Sequence, residues 1–410
     1  MIHGHAASAF SPVREAFQEN FRRRGEIGAA ACVYYRGAKV VDLWGGYRNP
    51  SDTSPWEEHT LVNVFSATTG MSAAAVAKAV SLGYLDYDGK VADYWPSFAQ
   101  QGKGSITVRQ LLGHEAGLPA LERAMGFREL GDPDTLSAIL AAQRPLWVPG
   151  KRHGCHASTL GLYIHELIRK ADPAHRSLGE FFRDEIAEPM KVEFHIGLPD
   201  RIPDARLARV KPLNPLSALF RMPWKRARAV LNPRSLVRMA MALPRDADPN
   251  DRDYLRIGHG SGNGVGEVRA IAKVYGDMAM GGTAMGLTPE VFRDLCAGTS
   301  PLDGTEDLIL KIPVRYHLGY HRPVMASLSE ASMRSFGAPG QGGAFGYADP
   351  DRQLGYAYAM VKMGRRMSDD PREQALRDAV HACITNIEKW ERSEGVVRKE
   401  RIPISQTRGQ

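Results

Sequence analysis

The pattern of hydrophobic and polar positions predicts strands near both ends of this chain and helices in the middle. Four apolar residues recur at helical spacing and predict an amphipathic helix over residues 9–24. They are Phe10, Val13, Phe17 and Phe21. Two β-like runs follow, Ala29–Tyr35 and Lys39–Trp44, and Gly37 between them predicts a hairpin turn.

The C-terminal part repeats this arrangement. Phe345–Tyr347 and Leu354–Met360 are β-like and are joined through a turn at Pro350, and a long helix is predicted from about Arg372 to Trp390. Helical patterns fill the chain between the two sets of strands. They cover residues 71–80, 108–112, 136–143, 159–170, 178–188 and 268–280. The sequence therefore predicts an α+β fold (an α/β sandwich), in which N- and C-terminal segments form one antiparallel sheet flanked by helices, with a mostly helical lobe inserted.

We expect a single unit over residues 1–392. Its α/β lobe would take about residues 1–82 and 305–392, and the inserted helical lobe about residues 83–304. The last segment, residues 393–410, is polar and basic with few apolar residues, so we predict a disordered tail there.

Composition agrees with a globular protein of ordinary type. Of 410 residues, 43% are hydrophobic and 24% are charged, and no uncharged apolar run approaches the length that spans a membrane. The N-terminus has no basic segment followed by an apolar one, so no signal peptide is predicted. The four cysteines are far apart and predict free thiols in a reducing, cytoplasmic compartment. They are Cys32, Cys155, Cys296 and Cys383.

The net charge of +7 is unevenly distributed. Between Arg201 and Ala240 there are ten Lys/Arg residues and one acid, Asp204. A solvated basic face is the ordinary interpretation, and weak contact of residues 201–240 with an anionic membrane surface is the alternative. No nucleic-acid motif accompanies the charge, so no nucleic-acid partner is expected. The same stretch contains an apolar cluster that fits either a lid over a cleft or core packing. Its members are Leu216, Leu219, Phe220, Met222 and Trp224.

Ser66 is the first candidate for chemistry. It follows an apolar run and opens a helix of small residues, where the helix dipole and its own N–H favour a developing oxyanion. The glycine-rich stretch Phe336–Gly343 could bring a second backbone N–H close. A serine hydroxyl is a weak nucleophile and needs an adjacent base. No Ser-x-x-Lys sequence occurs anywhere in the chain.

Five motifs in this order make the chain resemble the serine β-lactamase-like superfamily, above all family VIII carboxylesterases and class C β-lactamases. They are Ser66-Ala67-Thr68-x-Gly70-Met71, Ile106-Thr107-Val108-Arg109-Gln110-Leu111-Leu112-x-His114-x-x-Gly117-Leu118, Pro149-Gly150 followed by His156-Ala157-x-Thr159-x-Gly161, Asn263-Gly264-x-Gly266, and Gly337-x-Pro339-Gly340-x-Gly342-Gly343. The resemblance covers nearly the whole chain and implies the two-lobed fold of that superfamily.

The resemblance also implies roles for individual residues, and this chain differs from the family at the positions that transfer protons. Ser66 takes the nucleophile position, Thr69 replaces the lysine that acts as base, Cys155 replaces the tyrosine, and Ala338 replaces the histidine or lysine that often opens the last motif. The implied oxyanion donors are the N–H groups of Ser66 and Gln341. The implied ligand contacts are His156, Gly340, Gly342 and Gly343. No cofactor is expected, and no metal, because the histidines and Cys155 lack zinc-ligand spacing.

Three hypotheses follow. The first is a serine hydrolase homologue with a degraded site that binds a small ester- or amide-like ligand with little or no turnover. The second is an active carboxylesterase or acyltransferase that uses Ser66 with a substitute base, Cys155 or His156. The third is a basic protein that binds a membrane surface or an anion. Structural roles are the alternative for each residue: Ser66 as a helix cap, Thr69 as a packing residue and Cys155 as a small buried apolar group.

Overall fold

The computed structural model describes residues 1–123, 125–213, 228, 231–232, 235–240, 248–297, 305–323, 331–365 and 370–400. The apolar cluster predicted as a lid or as core packing lies outside the described residues, as does much of the basic stretch 201–240.

Twelve strands lie within the described residues. They are β1 (Ile2–Ala6), β2 (Gly28–Tyr35), β3 (Ala38–Asn49), β4 (Ser54–Pro55), β5 (Val62–Asn63), β6 (Phe194–His195), β7 (Val265–Gly266), β8 (Tyr316–His317), β9 (Tyr320–His321), β10 (Phe336–Pro339), β11 (Phe345–Asp349) and β12 (Leu354–Met360). Nine of them form one sheet in the order β1-β3-β2-β12-β11-β10-β9-β8, with β4 paired to β3, and three form a small sheet in the order β5-β7-β6.

The large sheet joins the two ends of the chain, as predicted. β12 pairs antiparallel with β2 in a register that runs from Leu354 opposite Tyr35 to Met360 opposite Ala29. The predicted hairpin between β2 and β3 is confirmed, and its turn residues Arg36 and Gly37 have φ of +51° and +78°. Two residues with positive φ match the twist of antiparallel strands in a tight hairpin. The α+β class with one antiparallel sheet and flanking helices is confirmed.

Helices cover the sheet and fill the middle of the chain. They are α1 (Ser11–Arg23), α2 (Ala67–Ser81), α3 (Val91–Tyr94), α4 (Val108–Leu112), α5 (Phe127–Gly131), α6 (Pro133–Ala142), α7 (Leu160–Ala171), α8 (Leu178–Phe182), α9 (Glu188–Met190), α10 (Leu236–Ala240), α11 (Arg252–Arg256), α12 (Val268–Ala279), α13 (Pro289–Cys296) and α14 (Pro371–Glu400). A π-helical turn, Arg183–Ala187, connects α8 to α9 within the predicted helix 178–188. No helix of the described part is long and apolar enough to cross a membrane.

The terminal helix is longer than predicted. Its sequence pattern indicated an end near Trp390, but α14 continues to Glu400 and so includes the first residues of the segment for which we predicted disorder. The apolar periodicity of the sequence ends near Trp390, so the pattern gave no signal for the last residues of the helix, whose backbone nevertheless stays helical. Residues 401–410 lie outside the described residues.

The alternating glycines of residues 258–266 bring the helix that begins after Ser66 close to its neighbours. A Cβ atom on Gly264 would lie 2.6 Å from Thr68 Oγ1, and one on Gly161 would lie 2.2 Å from the Gly260 carbonyl carbon. Ser72 Oγ, on α2, donates to the Gly260 carbonyl oxygen at 2.8 Å. These glycines therefore permit close packing of α2 and α7 against the small sheet.

Candidate functional site

A strained turn leads from the small sheet into α2 and presents Ser66. After β5, the Val64 N–H donates to the Gly264 carbonyl at 3.0 Å. Phe65 then adopts φ of +50°, an unusual conformation for a bulky residue. The Asn63 side-chain oxygen accepts from the Phe65 N–H at 2.9 Å and holds this conformation. The chain is thus bent sharply one residue before the candidate nucleophile, and such strain is found often at functional sites.

Thr68, rather than Ser66, fixes the start of the helix. Its buried hydroxyl donates to the Phe65 carbonyl and accepts from the Gly264 N–H at 2.9 Å. Ser66 occupies the N-cap position but makes no capping hydrogen bond and has helical φ and ψ of −66° and −8°. The Ser66 and Thr69 hydroxyls make no hydrogen bond with any described residue, and both side chains are half-buried. The helix-cap interpretation of Ser66 is therefore wrong.

The different hydrogen bonding of Thr68 and Ser66 gives a stability prediction. Thr68→Val should lower the free energy of unfolding by about 1–3 kcal/mol, because it leaves the buried Gly264 N–H without its acceptor. Ser66→Ala should change it by less than about 0.5 kcal/mol, because the Ser66 hydroxyl has no partner to lose. Urea unfolding followed by circular dichroism measures both. A larger loss for Ser66→Ala than for Thr68→Val would contradict the assignment.

Gly340, at the end of β10, brings a second backbone N–H beside Ser66. A Cβ atom there would lie 2.4 Å from the Val64 carbonyl oxygen and 3.1 Å from the Ala67 nitrogen, so only glycine fits. The N–H groups of Ser66 and of Gln341 donate to no described residue. Two backbone donors without partners among the described residues therefore belong to the two segments that meet at this contact, and an oxyanion site would need two such donors.

The next two glycines face the protein interior. A Cβ atom on Gly342, whose φ is +83°, would lie 2.8 Å from Met360 Cε, and one on Gly343, whose φ is +109°, would lie 2.9 Å from Asp370 Cβ. The Gly342 carbonyl accepts from the Gly364 N–H at 2.7 Å. Both glycines are buried. This environment favours a role in shaping the loop over the ligand contact that the resemblance implied.

Two buried phenols, those of Tyr275 and Tyr320, lie beside Gly70, the residue that follows Thr69. A Cβ atom on Gly70 would lie 2.1 Å from Tyr275 Oη and 2.9 Å from Ala338 Cβ, so α2, α12 and β10 meet there. Tyr320 Oη donates to the Gly70 carbonyl at 3.0 Å. Burial raises the pKa of Tyr275 and of Tyr320. Neither phenol is ionised at neutral pH.

The tyrosine position is a buried thiol in a separate apolar cluster. Cys155 packs with Ile309, Val314 and Tyr316, and the Tyr316 hydroxyl donates to Asp307 Oδ2 at 2.7 Å. Burial, with the nearby Asp307 carboxylate, raises the pKa of Cys155 to about 12. A thiol with this pKa is protonated at neutral pH and is a poor base or nucleophile.

His156 has no free ring nitrogen. It is fully buried; its Nε2 accepts from the Leu118 N–H at 2.8 Å, and its Nδ1 donates to the Gly154 carbonyl at 2.7 Å. The His156 N–H donates to His114 Nδ1 at 2.9 Å. Burial lowers the pKa of His156 to about 3. The ring thus links two backbone segments through hydrogen bonds. This favours a structural role over ligand contact or base catalysis.

Neutral buried histidines predict a loss of stability in mild acid. In the unfolded chain a histidine titrates near 6.5, whereas burial holds the folded pKa of His156 near 3 and that of His321 near 4. Below pH 6.5 the unfolded state binds more protons, so stability falls as pH falls towards these lowered values. Each such histidine should cost about 2 kcal/mol between pH 7 and pH 5.

Urea unfolding at the two pH values tests this. His156→Gln keeps an acceptor for the Leu118 N–H and should show a smaller difference between pH 7 and pH 5 than the parent. His5→Gln, on the exposed side of β1, is the control and should leave that difference unchanged. Equal pH dependence in the parent and His156→Gln would contradict the prediction.

The sequence-predicted residues thus fall into two groups. Ser66, Thr69, Ala338, Gly340 and Gln341 surround the start of α2. Cys155 and His156 contact residues of a second region, and no group of His, Cys, Asp or Glu side chains in the described part is arranged to hold a metal ion.

Sequence reasoning missed Thr68 and Tyr320. The hydroxyl two residues after Ser66 was a local signal for the first, while Tyr320 is 250 residues away from its partner and gave none.

Comparisons with known proteins agree with this geometry. The family model described as Beta-lactamase matches residues 13–381. The chain is 32% identical over 365 residues to the esterase/beta-lactamase LipL of Mycobacterium tuberculosis (strain ATCC 25618 / H37Rv), a match that covers 88% of this chain and 82% of LipL.

Solved structures give the same result. A family VIII carboxylesterase is 34% identical with a TM-score of 0.84 and covers 93% of this chain and 100% of its own. A penicillin-binding protein homologue from Caulobacter crescentus is 32% identical with a TM-score of 0.78 and the same coverage. EstA from Arthrobacter nitroguajacolicus Rue61a is 29% identical with a TM-score of 0.81 and covers 94% of this chain and 99% of its own. The fold is that of these hydrolases, and the chain belongs to the beta-lactamase family.

Proposed function

We propose that this protein is a β-lactamase/esterase-like homologue that binds a small ester- or amide-like ligand beside Ser66 and turns it over very slowly or not at all. The observation that carries the proposal is the isolation of the Ser66 hydroxyl, which has no hydrogen-bond partner among the described residues. Serine nucleophiles are activated by a base within hydrogen-bond reach.

The losses at the other positions support the same proposal. Thr69 offers a neutral hydroxyl at the position where the resemblance to serine β-lactamase-like enzymes implies a lysine. Cys155 is protonated, and the ring nitrogens of His156 are both engaged by backbone groups. The substitute bases that an active enzyme would need are therefore not available from these residues.

The backbone features around Ser66 support the binding of such a ligand. The strained Phe65, the contact at Gly340 and the free N–H groups of Ser66 and Gln341 together suit a polarised carbonyl oxygen. An ester or amide carbonyl would accept from both N–H groups, while the Ser66 hydroxyl would lie beside the carbonyl carbon without being deprotonated. Two of the relatives are named as esterases, which favours an acyl-type ligand.

The test is mass spectrometry of the intact protein after incubation with a fluorophosphonate or with p-nitrophenyl butyrate. We expect no adduct on the folded parent, because an unactivated serine reacts slowly with either probe. Ser66→Ala is the control for labelling elsewhere. A rapid adduct that is present in the parent and absent in Ser66→Ala would contradict the proposal and favour an active esterase or acyltransferase.

Binding is measured separately by saturation-transfer NMR with N-butylbutyramide, an amide that the protein would not hydrolyse. We expect a signal that weakens in Gly340→Ala, since the added Cβ would displace the backbone beside Ser66. Gly126→Ala, just before α5, is the matched control, because Gly126 has a φ of −86° and open space around its Cα. A signal of equal strength in the parent and in Gly340→Ala would place the ligand elsewhere.

A further inference from the structure

We infer that a second cavity, apart from the Ser66 turn, binds a small organic anion with an apolar body, such as a short-chain carboxylate. The cavity has a volume of about 360 Å³ and lies between the end of α8, the strand β6 and the loop that follows it. This volume is within the range of small-molecule sites. None of its lining residues belongs to the segments that surround Ser66.

One cation at this cavity is not neutralised by the protein. Three arginines line it, but Arg206 donates to both carboxylate oxygens of Glu193, at 2.8 and 2.7 Å, and Arg183 donates to Asp184 at 2.7 Å. Arg201 makes no hydrogen bond or ion pair with any described residue. Its guanidinium is therefore available for a carboxylate, which it matches in geometry with two parallel hydrogen bonds.

His195 adds a polar group without a partner. Its side chain is 12% exposed, and its Nε2 atom is buried with no hydrogen bond, because the nearest Glu193 oxygen lies 3.7 Å away. Burial lowers the pKa of His195, the Glu193 carboxylate opposes that shift, and the charge of Arg201 adds a smaller lowering. A buried polar atom with no partner is costly, and a turn of the His195 ring, which lines the cavity, would bring this nitrogen to a ligand oxygen.

The remaining lining is apolar except for the Glu188 carboxylate, which lies 3.9 Å from Arg183 Nε, and the apolar part would hold the body of the ligand. It is formed by Ala187, Val192, Phe194, Ile202 and Pro203. Phe194 is almost fully buried, so its position is fixed by packing. An unpaired arginine and an apolar wall in the same cavity fit a carboxylate that carries a short alkyl or aryl group better than an inorganic anion.

Isothermal titration calorimetry with hexanoate tests the inference, with hexanamide and inorganic phosphate as comparison ligands. The parent should bind hexanoate with a Kd of about 1 mM or tighter, and hexanamide at least about tenfold more weakly. Arg201→Gln should weaken hexanoate binding by about tenfold. Arg22→Gln, an exposed arginine on α1, is the matched control and should bind like the parent.

A second variant keeps the test independent of charge. Val192→Phe, at a half-buried position, should narrow the cavity and weaken hexanoate binding. The control variant Arg22→Gln should still bind hexanoate like the parent. Hexanoate binding that is unchanged in both Arg201→Gln and Val192→Phe would overturn the inference, as would its absence in the parent. Phosphate that binds as tightly as hexanoate would overturn the requirement for an apolar body.

Discussion

Thr69→Lys combined with Cys155→Tyr is expected to raise the hydrolysis of p-nitrophenyl butyrate by about 100-fold or more over the parent. Losing one member of a serine nucleophile–base unit costs on the order of 10⁴ to 10⁶ in turnover, so restoring both altered positions should recover a measurable part. The rate of p-nitrophenol release, followed by absorbance, measures the effect.

The geometry at the start of α2 makes the lysine substitution the more informative of the two. Thr69 lies three residues after Ser66 on the same face of the helix, and its side chain is half-buried with no hydrogen bond to lose among the described residues. An introduced amine would lie near the Ser66 hydroxyl. In its neutral form it would accept the Ser66 proton as the oxygen attacks the ester carbonyl.

The tyrosine substitution requires more adjustment. Cys155 is buried against Tyr316 and Ile309, so a larger side chain must turn away from that cluster. Thr69→Lys alone should therefore fold like the parent, and the double variant needs a folding check by circular dichroism. Adding Ser66→Ala to the double variant should abolish the gain. A folded double variant that remains inert would show that the site has changed beyond these two positions, with Ala338 the next to restore.

Local sequence signals were sufficient for most of the fold. The hairpin turn predicted at Gly37 has a backbone requirement that the sequence displays directly, and the structure has further local signals of the same kind at Thr107 and at the two glycines after α12. Thr107 accepts from the Gln110 N–H, and Gly281 and Gly282 both have positive φ. Strands at both ends of the chain leave one antiparallel sheet as the simplest solution, and β12 pairs with β2 accordingly.

Long-range contacts account for what the sequence did not predict. The role of Thr68 depends on Gly264, which is 196 residues away, and a helix cap stayed open as an alternative for Ser66 because its hydrogen bonds cannot be read from its position. The environments of Cys155 and His156 likewise come from distant segments. Motif order located the candidate nucleophile, but only the packing shows that the Cys155 thiol is protonated at neutral pH and that backbone groups engage both ring nitrogens of His156.

Arg372→Met is expected to lower the free energy of unfolding by about 3–5 kcal/mol, the largest stability effect that we predict from a single side chain. Arg372 lies in the first turn of α14, and its side chain is 5% exposed. It donates to both oxygens of Asp370, at 2.8 and 2.9 Å, and to Glu26 at 3.3 Å. Removing it would leave two buried carboxylates without a cation.

A surface ion pair provides the control for this prediction. Arg36 pairs with Glu391 where both side chains are about 40% exposed. Arg36→Met should therefore cost no more than about 1 kcal/mol, because water screens the pair. Urea unfolding at pH 7 measures both variants. Similar losses for Arg372→Met and Arg36→Met would show that the buried network contributes no more than an exposed pair.

The pH dependence of the Arg372→Met deficit separates lost charge pairing from lost packing. Burial raises the pKa of Glu26, and Arg372 opposes that shift. Without the arginine the folded pKa should rise further, so the folded state would hold a proton that the unfolded state releases above about pH 4.5. The variant should lose stability relative to the parent as pH rises from 5.5 to 7.5. A deficit that is constant over this range would assign the loss to packing around Gly342, whose carbonyl also accepts from Arg372.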